Sequence, residues 1–446
     1  MGTEREGKLL ISMAWPIIVS MLMQAFYNVV DTYFVSQTAD ALYARSALSL
    51  AYPIQMLMIA VSIGTAVGMN SLISRRLGAN RRDEANMAAA NGITLLVISS
   101  LCFAVLGLLL SRPIMELLSG DERVIELGTE YLSICCVFSM GSFIAIGIER
   151  IMTAQGKTLL TMAMQLTGAV SNIVLDAVLV PVWGVKGAAV ATVAGQGIGM
   201  VLSILILKLG HHEVDVRLRN MRLKWGIVKQ VYAVGFPSII MQAIGVVMLF
   251  GMDLILESLV PTVGVAVFGV YYRLQSMVFM PVFGLTNASM SIEGYNYGAK
   301  NSKRLIKVLR LTIIWTACFM LLGMAVFQLF PSELFGIFNA TPAELAVGVP
   351  ALRTISLCFF VAAICISLST FFGAIGQGMR SLWISLIRQM FVLLPAAFIL
   401  ARLTGSIDAV WWAFPIAEVA SLITAVLMYV STLKKQIRPL DIPKTA

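Results

Sequence analysis

The chain has 446 residues, of which 59% are hydrophobic and only 12% charged, and its formal net charge is +9 at pH 7. Soluble domains carry about 25% charged residues, so this composition excludes a soluble globular protein and predicts a polytopic membrane protein. The basic residues lie mostly between the apolar runs, where a bilayer would place them, so the positive charge predicts no nucleic-acid partner.

Twelve apolar runs of about 20 residues follow one another along the chain, and each is long enough to cross a bilayer as a helix. The predicted spans begin near residues 9, 47, 86, 127, 158, 187, 228, 262, 305, 347, 382 and 408. Most of the 32 Lys and Arg residues fall in segments that are cytoplasmic if the amino terminus is inside. By the positive-inside rule we expect an all-α, multi-pass protein of the plasma membrane with both termini cytoplasmic.

Short motifs recur at an offset close to half the chain. Pro16 in AWPIIVS matches Pro237 in GFPSIIM, 221 positions on, and the Gln-Gly pair at Gln155 recurs at Gln377, an offset of 222. This pattern predicts a duplication of six spans per half, so that both halves enter the membrane from the same side as parallel, pseudo-symmetric repeats. We expect an amino-terminal lobe over residues 1–208, a basic cytoplasmic loop over 209–227 and a carboxy-terminal lobe over 228–446. One compact bundle with an accidental match is the alternative.

Three spans of the first half carry oxygen-bearing side chains at spacings that place them on one helical face. These are Gln24, Asn28 and Asp31 in the first span, Gln165, Asn172 and Asp176 in the fifth, and Thr192 and Gln196 in the sixth. Carboxylate, amide and hydroxyl oxygens are the ligands of hard cations, and a carboxylate in a low dielectric can also hold a proton near neutral pH. The alternative is that these groups only join helices by hydrogen bonds. An aspartate serves that purpose poorly where Asn or Ser would do, so we favour a functional role for Asp31 and Asp176.

The second half has no carboxylate at the equivalent places. An offset of 221 takes Asp31 to Met252, although Asp253 is adjacent, and an offset of 222 takes Asp176 to Phe398. It carries Arg273, Arg388 and Glu418 within or beside its spans, and these two arginines pair with Glu418 or with carbonyls, or else they line a cavity. The candidates for a substrate cavity in the two halves together are Gln24, Asn28, Gln165, Gln196, Arg273, Gln275, Arg388 and Glu418.

Three stretches resemble the multidrug and toxic compound extrusion (MATE) family, in its MepA-like branch. They are WPIIVSMLMQAFYNVVDTYFV in the first span, SNIVLD with GVKGAAVATVAGQ in the fifth and sixth, and YYRLQSMVFMPVFGLTNASMSIEGYNYGAKN in the eighth. The resemblance implies a two-lobed antiporter of twelve helices that expels organic cations in exchange for Na⁺ or H⁺. It also implies that Asp31, Asn172, Asp176 and Thr192 are the cation ligands, with Na⁺ as a candidate metal.

We therefore expect a monomeric, cation-coupled exporter of lipophilic and mostly cationic compounds, working by alternating access between two lobes. Its only cofactor would be the coupling ion, Na⁺ or H⁺. The alternative is a flippase for lipid-linked precursors or polysaccharides, for which Arg273 and Arg388 would supply positive charge to a central cavity. An enzyme is not expected, because the histidines, His211 and His212, are adjacent in the basic loop and the chain has no HExxH or Walker A motif.

Overall fold

The structure, a computed structural model, describes residues 1–36, 41–210 and 212–441. His211 and the side chain of Asn28, both named above, lie outside the described residues. The described chain is helical, with short turns between the helices and no β-strand.

The first half contains six α-helices. They are α1 (Glu6–Ser36), α2 (Ala41–Gly78), α3 (Arg82–Leu118), α4 (Glu122–Val137), α5 (Met140–Ala154) and α6 (Thr158–Leu209). Helix α6 has 52 residues, but Gly184 interrupts it with φ 58° and ψ −133°. This left-handed backbone is open to glycine and strained for other residues, and here it divides α6 into two helical parts.

The second half follows a short 3₁₀ turn at Leu218–Met221 and contains ten α-helices in the described chain. They are α7 (Trp225–Leu259), α8 (Val263–Gly298), α9 (Ser302–Leu329), α10 (Pro331–Gly336), α11 (Pro342–Ser356), α12 (Phe359–Ala374), α13 (Gly378–Leu386), α14 (Leu394–Thr404), α15 (Ile407–Trp411) and α16 (Ala413–Thr432). Two π-helical segments, Ile387–Leu393 and Leu433–Ile437, continue α13 into α14 and extend α16.

Side chains cap the starts of α4 and α11. The Asp121 carboxylate accepts from the backbone N–H of Arg123 at 2.8 Å and so caps α4. Thr341 and Glu344 form a reciprocal capping box at the start of α11. These side chains satisfy amide groups that have no partner inside the first turn, which fixes where each span begins.

The described residues contain nine helical segments long and apolar enough to cross a membrane, and two bent helix pairs raise the number to eleven. The break at Gly184 divides α6 into two spans, which brings the number to twelve. The spans begin within about six residues of the predicted positions, which is less than two helical turns. The predicted all-α fold of twelve spans is confirmed.

Backbone irregularities recur between the halves. The pair α4–α5 is bent by 45° and the pair α11–α12 by 52°. Left-handed glycines match at Gly156 and Gly376, with φ 79° and 86°, and at Gly184 and Gly405, with φ 58° and 62°. Each pair lies 220 or 221 residues apart, so the duplication is visible in the backbone as well as in the sequence.

Contacts divide the chain into two compact units whose boundaries fall inside α1 and α7. One unit joins Met1–Ile18 to the chain from Ile240 onward, and the other is Val19–Ile239. Each boundary lies just after the proline of its helix, Pro16 or Pro237. The beginning of each of these helices therefore packs with the other half of the sequence. The predicted lobe boundaries, which rest on the repeat, stay a prediction.

Glycines allow this packing within each unit. A Cβ at Gly284 of α8 would lie 3.1 Å from the backbone nitrogen of Ile18 in α1. In the other unit, a Cβ at Gly64 of α2 would overlap the Ile239 side chain of α7 and lie 2.9 Å from the Gly235 carbonyl oxygen. Gly64 and Gly284 are equivalent in the repeat, so the same close approach is built into both units.

Candidate functional site

Asp31 lies on α1 and faces the helices of its own unit. Its charge acts on Asp176 of α6 and on Tyr131 and Cys135 of α4. The Asp31 Oδ1 atom is buried and has no hydrogen-bond partner among the described side chains. An acceptor in that state costs free energy unless something else binds it, so this oxygen is available to a ligand.

Asp176 and Asn172 lie one turn apart in the first part of α6, and both are buried, with Asp176 0% and Asn172 4% exposed. With the Asn172 amide oriented to satisfy its neighbours, its nitrogen donates to Asp176 Oδ2 at 3.3 Å. Its oxygen then accepts from the backbone N–H of Thr192 at 3.2 Å. Asn172 therefore links the acid to the second part of α6, while Asp176 Oδ1 is buried without a partner in the described chain.

The two parts of α6 pack against each other because the chain reverses direction at Gly184. A Cβ at Gly195 would lie 2.9 Å from Asn172 Cβ and 2.9 Å from the Gly168 carbonyl oxygen. Only a glycine allows the helices to come this close, and the contact brings Thr192 to Asn172. The structure thus brings together Asp31, Asn172, Asp176 and the backbone of Thr192.

This arrangement fits a small cation. Two carboxyl groups act on each other, and no basic residue of the described chain acts on either one. Each has a buried oxygen without a hydrogen-bond partner among the residues that the structure describes. Two negative charges in one buried site repel each other, and this repulsion favours the uptake of a proton or a cation. Carboxylate and amide oxygens suit a hard ion such as Na⁺.

The remaining candidates of the first half are placed differently. Gln24 lies one turn before Tyr27 on the same helix and acts on its hydroxyl. Gln196 is half-buried one turn beyond Thr192. The amide of Gln165 donates to Glu149 Oε2 of α5 at 2.8 Å. Since Gln165 precedes Asp176 by eleven residues, it lies roughly 16 Å along the helix from the acid pair.

In the second half, Arg388 and Glu418 form an ion pair with an N–O distance of 3.5 Å. Arg388 lies in the π-helical segment Ile387–Leu393, and such segments are frequent at functional sites. Arg273 is exposed and Gln275 is half-buried, both on α8. Of the two pairings considered from the sequence, Arg388 makes the one with Glu418.

The sequence interpretation missed three polar contributors. The Gln55 amide of α2 donates to the Tyr131 hydroxyl of α4 at 3.2 Å, and Asp31 acts on that tyrosine. Tyr27 lies three residues after Gln24 and is influenced by both aspartates. Tyr27 continues the polar face of α1 and was detectable from helical spacing, whereas Tyr131 carries no signal until the position of α4 is known.

The second half has an apolar core at the equivalent positions. The left-handed glycines Gly184 and Gly405 set the offset here at 221, so Asp176 corresponds to Ala397 and not to Phe398, as the offset of 222 had predicted. The same offset takes Asp31, Asn172 and Thr192 to Met252, Leu393 and Ala413. All four equivalents are no more than 3% exposed and belong to one hydrophobic cluster. The polar site is therefore confined to the first half of the repeat.

Comparisons with known proteins agree with this picture. The family model described as MatE matches residues 16–178 and 237–399, which together are more than half of the chain. The two matches begin at Pro16 and Pro237, so the family model finds the same duplication.

Two relatives of this chain are named for export or transport. It is 23% identical over 418 residues to the multidrug export protein MepA of Staphylococcus haemolyticus, covering 92% of this chain and 90% of that protein. It is 23% identical over 417 residues to the FAD transporter of Shewanella oneidensis, covering 91% and 89%.

A solved structure, the outward-facing conformation of a multidrug resistance MATE family transporter of the MOP superfamily, has a TM-score of 0.91 to this chain and 25% sequence identity. The match covers 97% of this chain and 98% of that one. The chain therefore belongs to the multidrug and toxic compound extrusion family of membrane transporters, in its MepA-like branch, and is a multi-pass membrane protein.

Proposed function

We propose that this protein is an antiporter that exports lipophilic, mostly cationic compounds in exchange for Na⁺ or H⁺. The observation that carries the proposal is the pair Asp31 and Asp176, which act on each other without a compensating basic residue in the described chain. Such a pair changes its affinity for a cation when its surroundings change, which is what coupling requires. The name of the MepA relative supports multidrug export as the activity.

The coupling ion is the energy source in this proposal. One elementary charge moving through 100 mV releases about 2.3 kcal/mol. Asp31 and Asp176 take up the ion from outside, with Asn172 and Thr192 completing its shell. The filled site repacks α1, which contains Pro16 and bends at that point more easily than an uninterrupted helix. The protein then alternates access between its two predicted lobes.

The first prediction concerns the acid pair. Asp31→Asn and Asp176→Asn should each reduce ethidium efflux to the level of cells without the transporter, because neither amide can take up and release the coupling ion. Asp253→Asn is the matched control, since Asp253 is a half-buried aspartate of α7 outside the site. Efflux from whole cells is measured at equal expression. Wild-type efflux from both site variants would refute the proposal.

The coupling ion is identified in everted vesicles. Ethidium transport is followed while the Na⁺ gradient and the proton gradient are collapsed separately with selective ionophores. The proposal expects one of the two treatments to stop transport. Transport that survives the loss of both gradients would contradict antiport by either ion.

A flippase for lipid-linked precursors or polysaccharides is the second candidate, and the FAD transporter among the relatives is named for an anionic substrate. An anionic substrate needs uncompensated positive charge in its cavity. In the described chain, the charge of Arg388 is compensated by Glu418. Arg388 therefore provides less positive charge for an anionic substrate than the sequence alone implied. Competition separates the candidates: a lipophilic cation should inhibit ethidium transport, and FAD or a lipid pyrophosphate should not.

A further inference from the structure

A groove of about 440 Å³ lies in the second half of the chain, apart from the acid pair. One wall is a face of α9 and the other is the end of α16 with the π-helical segment that follows. Three basic side chains line it: Lys303 and Arg310 from α9, and Arg438 from just beyond the π-helical segment. No acidic side chain lines it in the described chain, so the groove concentrates positive charge.

These three cations have no carboxylate partner among the described residues. Their neighbours differ: Lys307 pairs with Glu6 at 3.0 Å, and Arg304 with the same carboxylate at 3.8 Å. The buried carboxyl of Glu293 in α8 also acts on Tyr429, a lining residue, but it is 0% exposed and accepts from Ser289 at 2.9 Å. The positive charge of the groove is therefore open to an external anion.

Charged and apolar residues alternate along the α9 wall of the groove. Lys303 lies in the first turn of α9, and Arg310 follows two turns later, roughly 10 Å further along the helix. Between and beyond them, Ile306, Leu309 and Ile313 form the wall. Tyr429 adds a ring with a polar end, which suits a boundary between water and hydrocarbon. A ligand that fits has an anionic head and an apolar chain.

In the first half of the repeat, α3 corresponds to α9, and its surroundings differ from those of the groove. The repeat offset of 220 pairs Ile306 of the groove with Asn86 of α3, and the connecting loop contacts α3 at and near that position. The Asn86 side chain accepts from the backbone N–H of Asp215 at 2.8 Å, and Asn91 accepts from the N–H of Lys224 at 2.8 Å. The Asn91 amide also donates to the Asn220 carbonyl at 3.1 Å. The fold fills this groove with its own chain in one half and leaves a cationic groove in the other.

We propose that the groove between α9 and the end of α16 binds the phosphate of an anionic phospholipid from the adjacent leaflet. Lys303, Arg310 and Arg438 hold the phosphate, and one acyl chain lies along Ile306, Leu309 and Ile313. Basic pockets between membrane helices bind anionic headgroups in this way, and the apolar wall favours a lipid over a free anion.

The test uses the full-length protein purified in neutral detergent and titrated with dioleoyl phosphatidylglycerol, with phosphatidylcholine as the reference lipid. Binding is followed by native mass spectrometry. The double variant Arg310→Gln/Arg438→Gln should lose about 25-fold in affinity for phosphatidylglycerol, since each cation near an anionic lipid contributes about fivefold. Its affinity for phosphatidylcholine should not change.

Lys434→Gln/Lys435→Gln is the control, because it removes the same charge from exposed neighbours outside the groove. Its affinity should change less than twofold. Equal losses in the two double variants, or no loss in either, would overturn the proposal. Displacement of the lipid by millimolar inorganic phosphate would show a small-anion site and overturn the assignment to a lipid. Asp31→Asn should bind the lipid normally, so this result is independent of the antiport proposal.

Discussion

Buried carboxyl groups in this chain differ in what surrounds their charge. Glu418 has Arg388 as an ion-pair partner, and Glu149 accepts from the amide of Gln165. Asp31 and Asp176 instead act on each other. One oxygen of each has no hydrogen-bond partner in the described chain, as is also true of Glu293 and Glu418, so what distinguishes the pair is the second acid beside the first. A buried charge that is held for stability normally has an opposite charge or several donors beside it. The aspartate pair therefore has the character of a binding site.

Arg388 and Glu418 compensate each other's charge, so we expect this ion pair to contribute to stability. Arg388→Gln leaves a buried carboxylate without its partner and should destabilise the protein by roughly 3 kcal/mol. Arg388→Gln/Glu418→Gln removes both charges and should restore most of that loss. Thermal unfolding in detergent measures both variants. A double variant as unstable as the single one would mean that the two residues do not act as a pair.

At the residue scale, the sequence predicted the acids but not their environment. Asp31 and Asp176 are acidic residues within apolar runs, and this alone makes them detectable. The orphaned oxygens could not be predicted, because they depend on which neighbours are absent. The need for glycine at position 195 could not be predicted either. It arises because Asn172, in the other part of α6, lies against Gly195.

At the scale of elements, α6 shows how one helix break creates a site. The reversal at Gly184 places Asn172 and Thr192 side by side although they are twenty residues apart in the chain. The close approach at Gly195 then determines whether their hydrogen bond forms. The geometry of the acid site therefore depends on helix packing as well as on the ligands themselves.

Gly195→Ala tests this dependence. The added methyl group would lie 2.9 Å from both Asn172 Cβ and the Gly168 carbonyl oxygen, so the two parts of α6 must separate. We expect a loss of about 1–3 kcal/mol in stability and a strong loss of ethidium efflux. Gly197→Ala is the control on the same helix, because a Cβ there meets nothing within 4 Å. Full efflux from Gly195→Ala would show that the close approach is dispensable.

Hydropathy predicted the helices of this fold and their order, because twenty apolar residues have few alternatives in a bilayer. It did not predict the bend between α4 and α5, where the sequence ICCVFSMGSF contains no proline. It also gave no sign that the beginning of α1 packs on α8 and that of α7 on α2. Those contacts join segments far apart in sequence, and periodicity within one segment carries no information about them.

At the scale of the whole molecule, the two halves share a backbone pattern and differ in what they bury. The first half buries a polar site where the second buries Met252, Leu393, Ala397 and Ala413. If the acids serve stability, replacing them by these apolar counterparts should damage the fold. If they serve ion binding, the fold should tolerate the exchange.

The variant Asp31→Met/Asp176→Ala makes this exchange. Because apolar replacements of buried charges are often neutral or stabilising by about 1–4 kcal/mol, we expect unchanged or higher thermal stability. We also expect no ion-coupled efflux. Unfolding temperature and vesicle transport are measured on the same preparations. A large loss of stability would instead support the alternative that the acids only join helices by hydrogen bonds.

The contact between α2 and the beginning of α7 has a consequence for biogenesis. The surface of α2 at Gly64 and Gly68 is completed by residues from Val231 to Ile239, which the ribosome makes more than 160 residues after Gly68. Domains usually fold in the order in which they are synthesised. Here the unit that contains α2 cannot complete its packing when α2 is made. The surface of α2 at Gly64 and Gly68 stays uncovered until the beginning of α7 has been translated.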